Sequence, residues 1–551
     1  MTSAQAPVLE RFIEAYDGDE VDLLIIGGGI TGAALAYDAA LRGLSVALVE
    51  KRDFGCATSS VTSKLIHGGF RYLANMELGL VRESLRERRT LENIAPNFVY
   101  PLPSILCAYD TRPTNTMAAI RTGMALYEVL SYDKGKTWDK AKAIPSHRML
   151  TAEEALALEP AINAHGLKGA GLQYDCASIS PERLTLAFIR SAAAAGARVA
   201  NYAKVERFLE ARGRIRGVVV HDLLRDRPVE VHAKLTVNCS GPWADLVLGL
   251  ARGGAADKKL RRSEGIHVIT KKLVDRHLVG FAGRHGGHFF LIPWRGHTLI
   301  GTTDKEYVGD PDQYRVTREA IEELLAEVND VLGRKELDYD DVVHAYGGLR
   351  PLVEDQTKSV YESSRRYEIH DNGEDGLNGM ITVEGGKYTT SRNLAETAMK
   401  MIEVKLGRPA AACETAHRRL VGCEIDDVDA FVDKARRDNP DLDPKTVEWI
   451  ARHYGTEMDR VLSLARRDPP LARPLDADGE IAAQVVYAVR AEMARTLEDI
   501  VLRRTGIGTL GFPGDEVLAT VADVAARELG WDDARKQREV AAIRGALTLP
   551  Q

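Results

Sequence analysis

The 551-residue sequence predicts an α/β fold: a Rossmann-like dinucleotide-binding unit, a sheet-rich region interleaved with it, and a helical C-terminal domain. Three observations predict this. An apolar run beginning at Val21 opens into Gly27-x-Gly29-x-x-Gly32 and a small-residue helix that reaches Leu41. Residues from about 260 to 350 alternate apolar and polar side chains, the period of half-buried strands. After Gly407-Arg-Pro409 the pattern becomes helical, in Pro444 to His453, Ile481 to Arg504 and Asp515 to Leu529.

Taken in order, residues 1–20 read as a short tail, 21–409 as the nucleotide-binding and sheet-rich region, and 410–551 as the helical domain. In the first unit Gly27 permits a tight turn and Gly29 lets a pyrophosphate approach the backbone. Gly32, with Ala33 and Ala36, lets the helix lie close to the sheet. Free N–H groups at the helix start attract phosphate. Gly43 stops the helix, and Ser45 to Val49 reads as a second strand. It ends at Glu50, about 20 residues beyond the turn, where a carboxylate accepts hydrogen bonds from ribose hydroxyls. Ser63 to Pro96 reads as a loop entering a charged helix whose Arg82, Arg86, Arg88 and Arg89 form a solvated face. Ser180-Pro181 is a helix start, and Gly196 ends that helix. From Arg198 to Asn238 the pattern is strand-like, with turns at Arg212-Gly213 and near Asp226-Arg-Pro228. Its last strand delivers Cys239-Ser-Gly241-Pro-Trp243. A helix from Thr317 to about Leu332 interrupts the later sheet region, and Asp468-Pro-Pro-Leu-Ala-Arg-Pro474 links two C-terminal helices.

Composition, at 45% hydrophobic and 28% charged, is that of a globular protein, and a net charge of −7 argues against nucleic acid as a partner. Six cysteines, at 56, 107, 176, 239, 413 and 423, form no CxxC pair. Buried free thiols are therefore expected, with neither a metal site nor a disulfide framework. The N-terminal stretch lacks an apolar signal region and no apolar run reaches about 18 residues, so a cytoplasmic protein without a membrane span is expected. Peripheral attachment stays open. Lys258, Lys259, Arg261, Arg262, Lys271 and Lys272 are either a solvated loop or a contact for anionic lipid.

Several further segments pair glycine with reactive side chains: Thr58-Ser-Ser-Val-Thr-Ser-Lys-Leu-Ile-His-Gly-Gly-Phe-Arg-Tyr72, Asn238-Cys-Ser-Gly-Pro-Trp243, Gly301-Thr-Thr-Asp304, Gly347-Gly-Leu-Arg-Pro351 and Glu384-Gly-Gly-Lys-Tyr-Thr-Thr390. With the glycine turn, and with Glu492 to Thr505 in the helical tail, they resemble the FAD-dependent glycerol-3-phosphate dehydrogenase family over about residues 20–540. The Ser-Lys-Leu-Ile-His-Gly-Gly-x-Arg-Tyr string is the specific part.

The resemblance implies FAD held by Gly27, Gly29, Gly32, Glu50, Thr58, Ser59, Ser60, Ser63, Leu65, His67, Gly241, Gly386, Lys387 and Thr389. It implies a phosphorylated polyol bound by Arg71, Tyr72 and Arg365, with His267, Arg350 and Lys387 at the chemistry. Guanidinium suits a phosphate dianion because it binds bidentately and stays charged. Histidine is the natural candidate for a base at the substrate hydroxyl, His267 with His67 as competitor, and the alternative is that Lys387 or Arg350 stabilises the alkoxide instead. The activity implied is oxidation of sn-glycerol 3-phosphate to dihydroxyacetone phosphate by hydride transfer to flavin N5. Electrons would pass to a quinone or, as the alternative, to oxygen. A homodimer at the cytoplasmic membrane face is compatible with this. The alternatives are another polyol phosphate or a 2-hydroxy acid as substrate, or a flavin-binding scaffold without turnover. Glu384 departs from the family pattern, which favours an aliphatic or aromatic residue there.

Overall fold

A computed structural model describes residues 7–73, 75–254, 260–282, 288–352 and 367–551. Two large sheets and a helical domain make up the described chain. The first sheet is ordered Tyr367–Asp371, Met380–Gly385, Arg227–Asn238, Val21–Ile26, Val46–Val49, Arg198–Ala200. Its four central pairings are parallel, so both faces need cover. On one face Ile30–Leu41 packs with Pro181–Ala194 and Ser391–Lys405 around Leu35, Phe188 and Ala398. On the other lie the antiparallel strands Ala203–Ala211 and Arg214–Asp222 and the helix Ala244–Ala251. The strand–helix–strand unit expected between 21 and 50 and the helix and strands expected between 180 and 238 are present, although the last strand already begins at Arg227. Ser180 Oγ caps the Arg183 N–H, and Gly196 is left-handed at φ 100°.

The second sheet gathers ten described strands from the stretches between Val49 and Arg198 and between Asn238 and Tyr367, among them Arg148–Leu150 on Gly169–Ser178. Arg261–Thr270 pairs with Val342–Leu352, His297–Gly301 and Lys305–Tyr307. Beyond them come His288–Trp294, Leu278–Ala282, Val99–Ala108, Gly169–Ser178 and Leu65–Ile66. Helix Arg318–Leu332 covers one face through Ile321, Leu324 and Val328, starting at the Thr317 cap and ending at left-handed Gly333. The sheet therefore begins well before residue 260. Val99–Ala108 carries Pro101 and Pro103, which ordinarily exclude a central strand. Here only Ser104 to Leu106 have neighbours on both sides, so the missing proline N–H groups fall where one edge is unpaired.

Three expectations need correction. Residues 7–14 are no tail: Leu9 and Ile13 are buried, the Leu9 N–H donates to Ala491 O at 3.0 Å, and Arg11 pairs with Asp222 at 2.6 Å. Of the arginines of Leu78–Ile94 only Arg86 is exposed, so the four do not form a solvated face. Arg88 is 1% exposed and pairs with Asp175, while Arg82 and Arg89 share Asp133. Ile481 to Arg504 is not one helix. Ala482–Ala491 ends where buried Glu492 turns to Arg183, Met493 adopts φ 59°, and Thr496 caps a new turn. The described members of the basic cluster each face a carboxylate, Arg261 that of Glu306, Arg262 that of Asp245, Lys271 that of Asp341 and Lys272 that of Asp275, with Arg262 buried and Lys271 and Lys272 about half exposed. Lys258 and Lys259 lie outside the described residues.

The helical domain adds Val428–Asp438, Met458–Arg467 and Asp533–Leu547 to the segments expected. Its core is built from residues such as Ile450, Leu462, Val485, Leu497 and Val521. All six cysteines are free thiols, four of them buried. No described helix is long and apolar enough to cross a membrane.

Candidate active site

The carboxyl ends of the parallel strands define one end of the site. Gly27 follows Ile26, Glu50 follows Val49, and Cys239 follows Asn238, all in register. Ligands of open α/β sheets bind outside these ends. Gly27 sits at φ 111°, and a Cβ there would lie 2.5 Å from Cys239 O. A Cβ on Gly32 would lie 2.0 Å from Gly27 O. Both positions therefore require glycine. Gly29 caps the helix, whose Ile30 N–H donates to Ser59 Oγ at 2.9 Å. The Glu50 carboxylate accepts from Gly28 N–H at 2.8 Å and Arg52 N–H at 2.9 Å, which fixes it at the strand end with lone pairs to spare for ribose hydroxyls. Gly241 occupies the turn after Cys239 at φ 56°, and Ser60 Oγ bonds back to Ala57 O.

A cavity of about 1820 Å³ is lined largely by the second sheet and by the segment that follows Met380–Gly385. Thr58, Ser63, Leu65 and His67 line it from one segment, and Gly386, Lys387 and Thr389 from another. Thr58 Oγ1 donates to Leu349 O at 2.6 Å and Thr389 Oγ1 accepts from His67 N–H at 3.3 Å, so the two segments are tied to the sheet and to each other. Left-handed Gly386, at φ 85°, turns the chain between strand and helix. Arg71, Tyr72, His267 and Arg350 complete the wall, while Arg365 lies outside the described residues. A glycine turn with no room for a side chain, a fixed carboxylate and an adjoining cavity together fit FAD.

The reactive groups are strongly perturbed. Lys387 is pushed down to about 7, mainly by burial, with Glu83 opposing and Arg71 adding to the shift. Its Nζ donates to Ser84 Oγ and lies 4.8 Å from the Tyr72 ring centre. His267 is 1% exposed and shares a 2.8 Å hydrogen bond with Ser63 Oγ through Nε2. Burial, then Arg350 and Lys64, hold it well below the ordinary histidine range, so it is neutral. His67 is pushed down to about 4 by burial. Arg350 Nη2 donates to Thr302 Oγ1 at 2.5 Å, and Nη1 to Thr303 O at 3.2 Å and Ser263 Oγ at 3.3 Å.

Asp175 also lines the cavity and is not marked by any motif. It accepts from Gly68 N–H at 3.1 Å, Arg88 Nη1 at 2.7 Å and Tyr127 OH at 2.9 Å, which holds the His67-Gly68-Gly69 turn in place. Ser84 and Gly265 likewise escape notice in the sequence. Their roles arise from Lys387 and Arg350, far away in the chain.

Residues 22–392 match the family described as FAD dependent oxidoreductase, and 413–536 match the C-terminal domain of alpha-glycerophosphate oxidase. A glycerol-3-phosphate dehydrogenase of Synechocystis is 35% identical, with 94% of this chain and 95% of the relative covered. An alpha-glycerophosphate oxidase of Streptococcus pneumoniae is 28% identical, with 98% and 97% covered. The solved glycerol-3-phosphate dehydrogenase from Bacillus halodurans complexed with FAD superimposes with a TM-score of 0.77, at 29% identity over 97% of this chain and 96% of that one. With the glycine turn and cavity already described, these likenesses settle the assignment: the chain belongs to the FAD-dependent glycerol-3-phosphate dehydrogenase family, a flavoprotein oxidoreductase with FAD as its cofactor.

Proposed function

We propose that the protein oxidises sn-glycerol 3-phosphate to dihydroxyacetone phosphate and passes the electrons to a quinone. The observation that carries this reading is the joint placement of Arg350 and Lys387 on the wall of one cavity that Thr58 also lines, next to Ser59, which accepts the Ile30 N–H at the start of the helix after the glycine turn. The names of the relatives at 28–35% identity over nearly the whole chain support the same substrate.

Bound FAD supplies the acceptor, at N5, for the hydride leaving C2 of the substrate. The protein's part is to bind, orient and manage the proton. Arg350, with Arg71 and Tyr72 on the same wall, receives the phosphate, since guanidinium offers a charged planar fork. The proton of the C2 hydroxyl goes to Lys387 Nζ. A lysine held near 7 has a substantial neutral fraction at neutral pH and so a free lone pair. His267, buried and neutral, orients Ser63 and is a poorer resting place for a proton than Lys387. This reading takes Lys387 rather than His267 as the base. The adjoining apolar wall, with Phe281, Phe289 and Leu324, supports a quinone as the onward acceptor.

A second reading, with oxygen as acceptor, is favoured by the Streptococcus pneumoniae relative, which is named an oxidase. Anaerobic mixing with glycerol 3-phosphate should bleach the visible flavin band, and erythritol phosphate and lactate should not. Bleaching by lactate alone would refute the substrate. Reoxidation by a soluble quinone without hydrogen peroxide would separate dehydrogenase from oxidase.

A further inference from the structure

The loop that follows the second strand touches the nucleotide turn twice. Glu50 accepts the Gly28 N–H at 2.8 Å, and Gly55 N–H donates to Gly28 O at 3.0 Å. The Phe54 ring closes over Gly28, so close that a Cβ on that glycine would lie 2.7 Å from Phe54 Cδ1. Between these contacts stands Asp53, a carboxylate with no solvent exposure. Its partners come from the other end of the chain. Arg504 binds it bidentately, Nη1 to Oδ2 and Nη2 to Oδ1, both at 2.7 Å, and Arg503 Nε donates to Oδ2 at 2.7 Å. Asn201 Nδ2 adds a fourth bond at 3.1 Å and also holds Met493 O. Burial alone would raise the Asp53 carboxyl, but Arg504 and Arg503 outweigh it and leave the group well below the ordinary carboxylate range.

The two arginines lie in a π-turn, Ile500–Arg504, itself fixed from several sides. Asp499 pairs with Arg503 at 2.7 Å and accepts from Tyr202 OH at 2.7 Å. Arg504 Nε donates to Glu492 O at 3.1 Å, and Arg183 reaches both the Glu492 carboxylate and Arg504 O. The fork is thus held before it meets Asp53. A carboxylate buried this deeply must be met by charge, and a planar fork fixes its orientation as a lysine would not.

We infer that Arg503 and Arg504 are positioning residues for FAD: through Asp53 the helical C-terminal domain sets the loop that closes on the Gly27–Gly29 turn, and so controls cofactor retention. The chain from guanidinium to nucleotide turn is short: Arg504, Asp53, Phe54 and Gly55, Gly28. The inference concerns only the cofactor and does not depend on which substrate is oxidised.

The test is the rate of FAD release from purified holoenzyme on dilution, read as free-flavin fluorescence, alongside the thermal midpoint. Arg504→Lys keeps the charge and removes the fork. It should speed release roughly tenfold, the size expected for losing one charge-assisted hydrogen bond. Arg503→Lys, which removes one of three arginine bonds to Asp53, should speed it less and in the same direction. The control is Glu457→Gln. It breaks another buried tie between the same two parts of the protein, the Arg190–Glu457 pair, with no contact to the loop. That variant should lower the thermal midpoint yet release FAD within twofold of the wild-type rate, taken as roughly unchanged on the same scale. Wild-type release from both lysine variants would overturn the inference. So would Glu457→Gln releasing FAD as fast as Arg504→Lys, because the arginines would then only support the fold.

Discussion

Gly265→Ala should damage catalysis without damaging the fold. Gly265 lies in Arg261–Thr270, in register with Gly348 of the neighbouring strand, and Ser263 is in register with Arg350. Gly265 and Arg350 are therefore diagonal neighbours on one face, where side chains meet. Arg350 uses the space that glycine leaves: a Cβ at 265 would lie 1.9 Å from Nη2 and 2.4 Å from Cζ. The backbone at 265 is ordinary strand and accepts alanine. The clash falls on the flexible end of Arg350, which must leave its bonds to Thr302, Thr303 and Ser263. A hydrogen bond to a charged group contributes ~1.5–3 kcal/mol, so misplacing the fork should lower kcat/KM for glycerol 3-phosphate roughly ten- to a hundredfold. Arg350→Lys should lose a similar factor, since lysine keeps the charge and lacks the fork. The assay is steady-state kinetics with a dye acceptor on glycerol 3-phosphate and on unphosphorylated glycerol, with flavin content measured in parallel. Unchanged kcat/KM, equal loss on both substrates, or loss of flavin would each show that Arg350 is not the phosphate-binding group.

Gly27→Ala puts a Cβ against backbone at φ 111°, where nothing flexible can yield, so the purified variant should be colourless. A yellow variant with full FAD would misplace the nucleotide turn. In the wild type, kcat/KM should rise with pH through about 7 and then level. Lys387 accepts a proton only when neutral, and burial lowers its pKa to about 7. A flat profile across neutrality, or one that Lys387→Met leaves intact, would exclude Lys387 as the base. Asp175→Asn leaves Arg88 buried beside a neutral amide, which should cost about 3–5 kcal/mol of stability in urea titration. A loss below about 1 kcal/mol would mean that the pair is dispensable.

What the sequence made legible was local. Gly27 to Glu50 could be read because every part of that unit lies within one strand–helix–strand passage and each glycine has a steric reason visible in the spacing. The cap at Ser180 was legible for the same reason: a cap concerns its own next three residues. What stayed hidden was set by partners far away in the chain. Arg88 sits in a charged helical stretch that looks solvated, and only Asp175 across the fold makes its burial tolerable. Residues 7–14 look like a tail until Arg11 meets Asp222. Ile481 to Arg504 keeps an unbroken helical period, yet Glu492 is drawn aside by Arg183 and the turn is rebuilt to aim Arg503 and Arg504 at Asp53.

These misreadings share one cause. Hydrophobic periodicity assigns charged residues to the surface because an unpaired buried charge is prohibitively unfavourable. The rule fails where two such residues bury each other, and in this protein those pairs join segments that are otherwise independent. Asp53 with Arg504 and Arg183 with Glu492 all tie the nucleotide-binding half to the helical domain. An ion pair that exists only when both parts are folded makes each part's structure conditional on the other. The C-terminal domain is then a determinant of the cofactor site's geometry, even though the glycine turn that receives the nucleotide lies wholly in the first fifty residues.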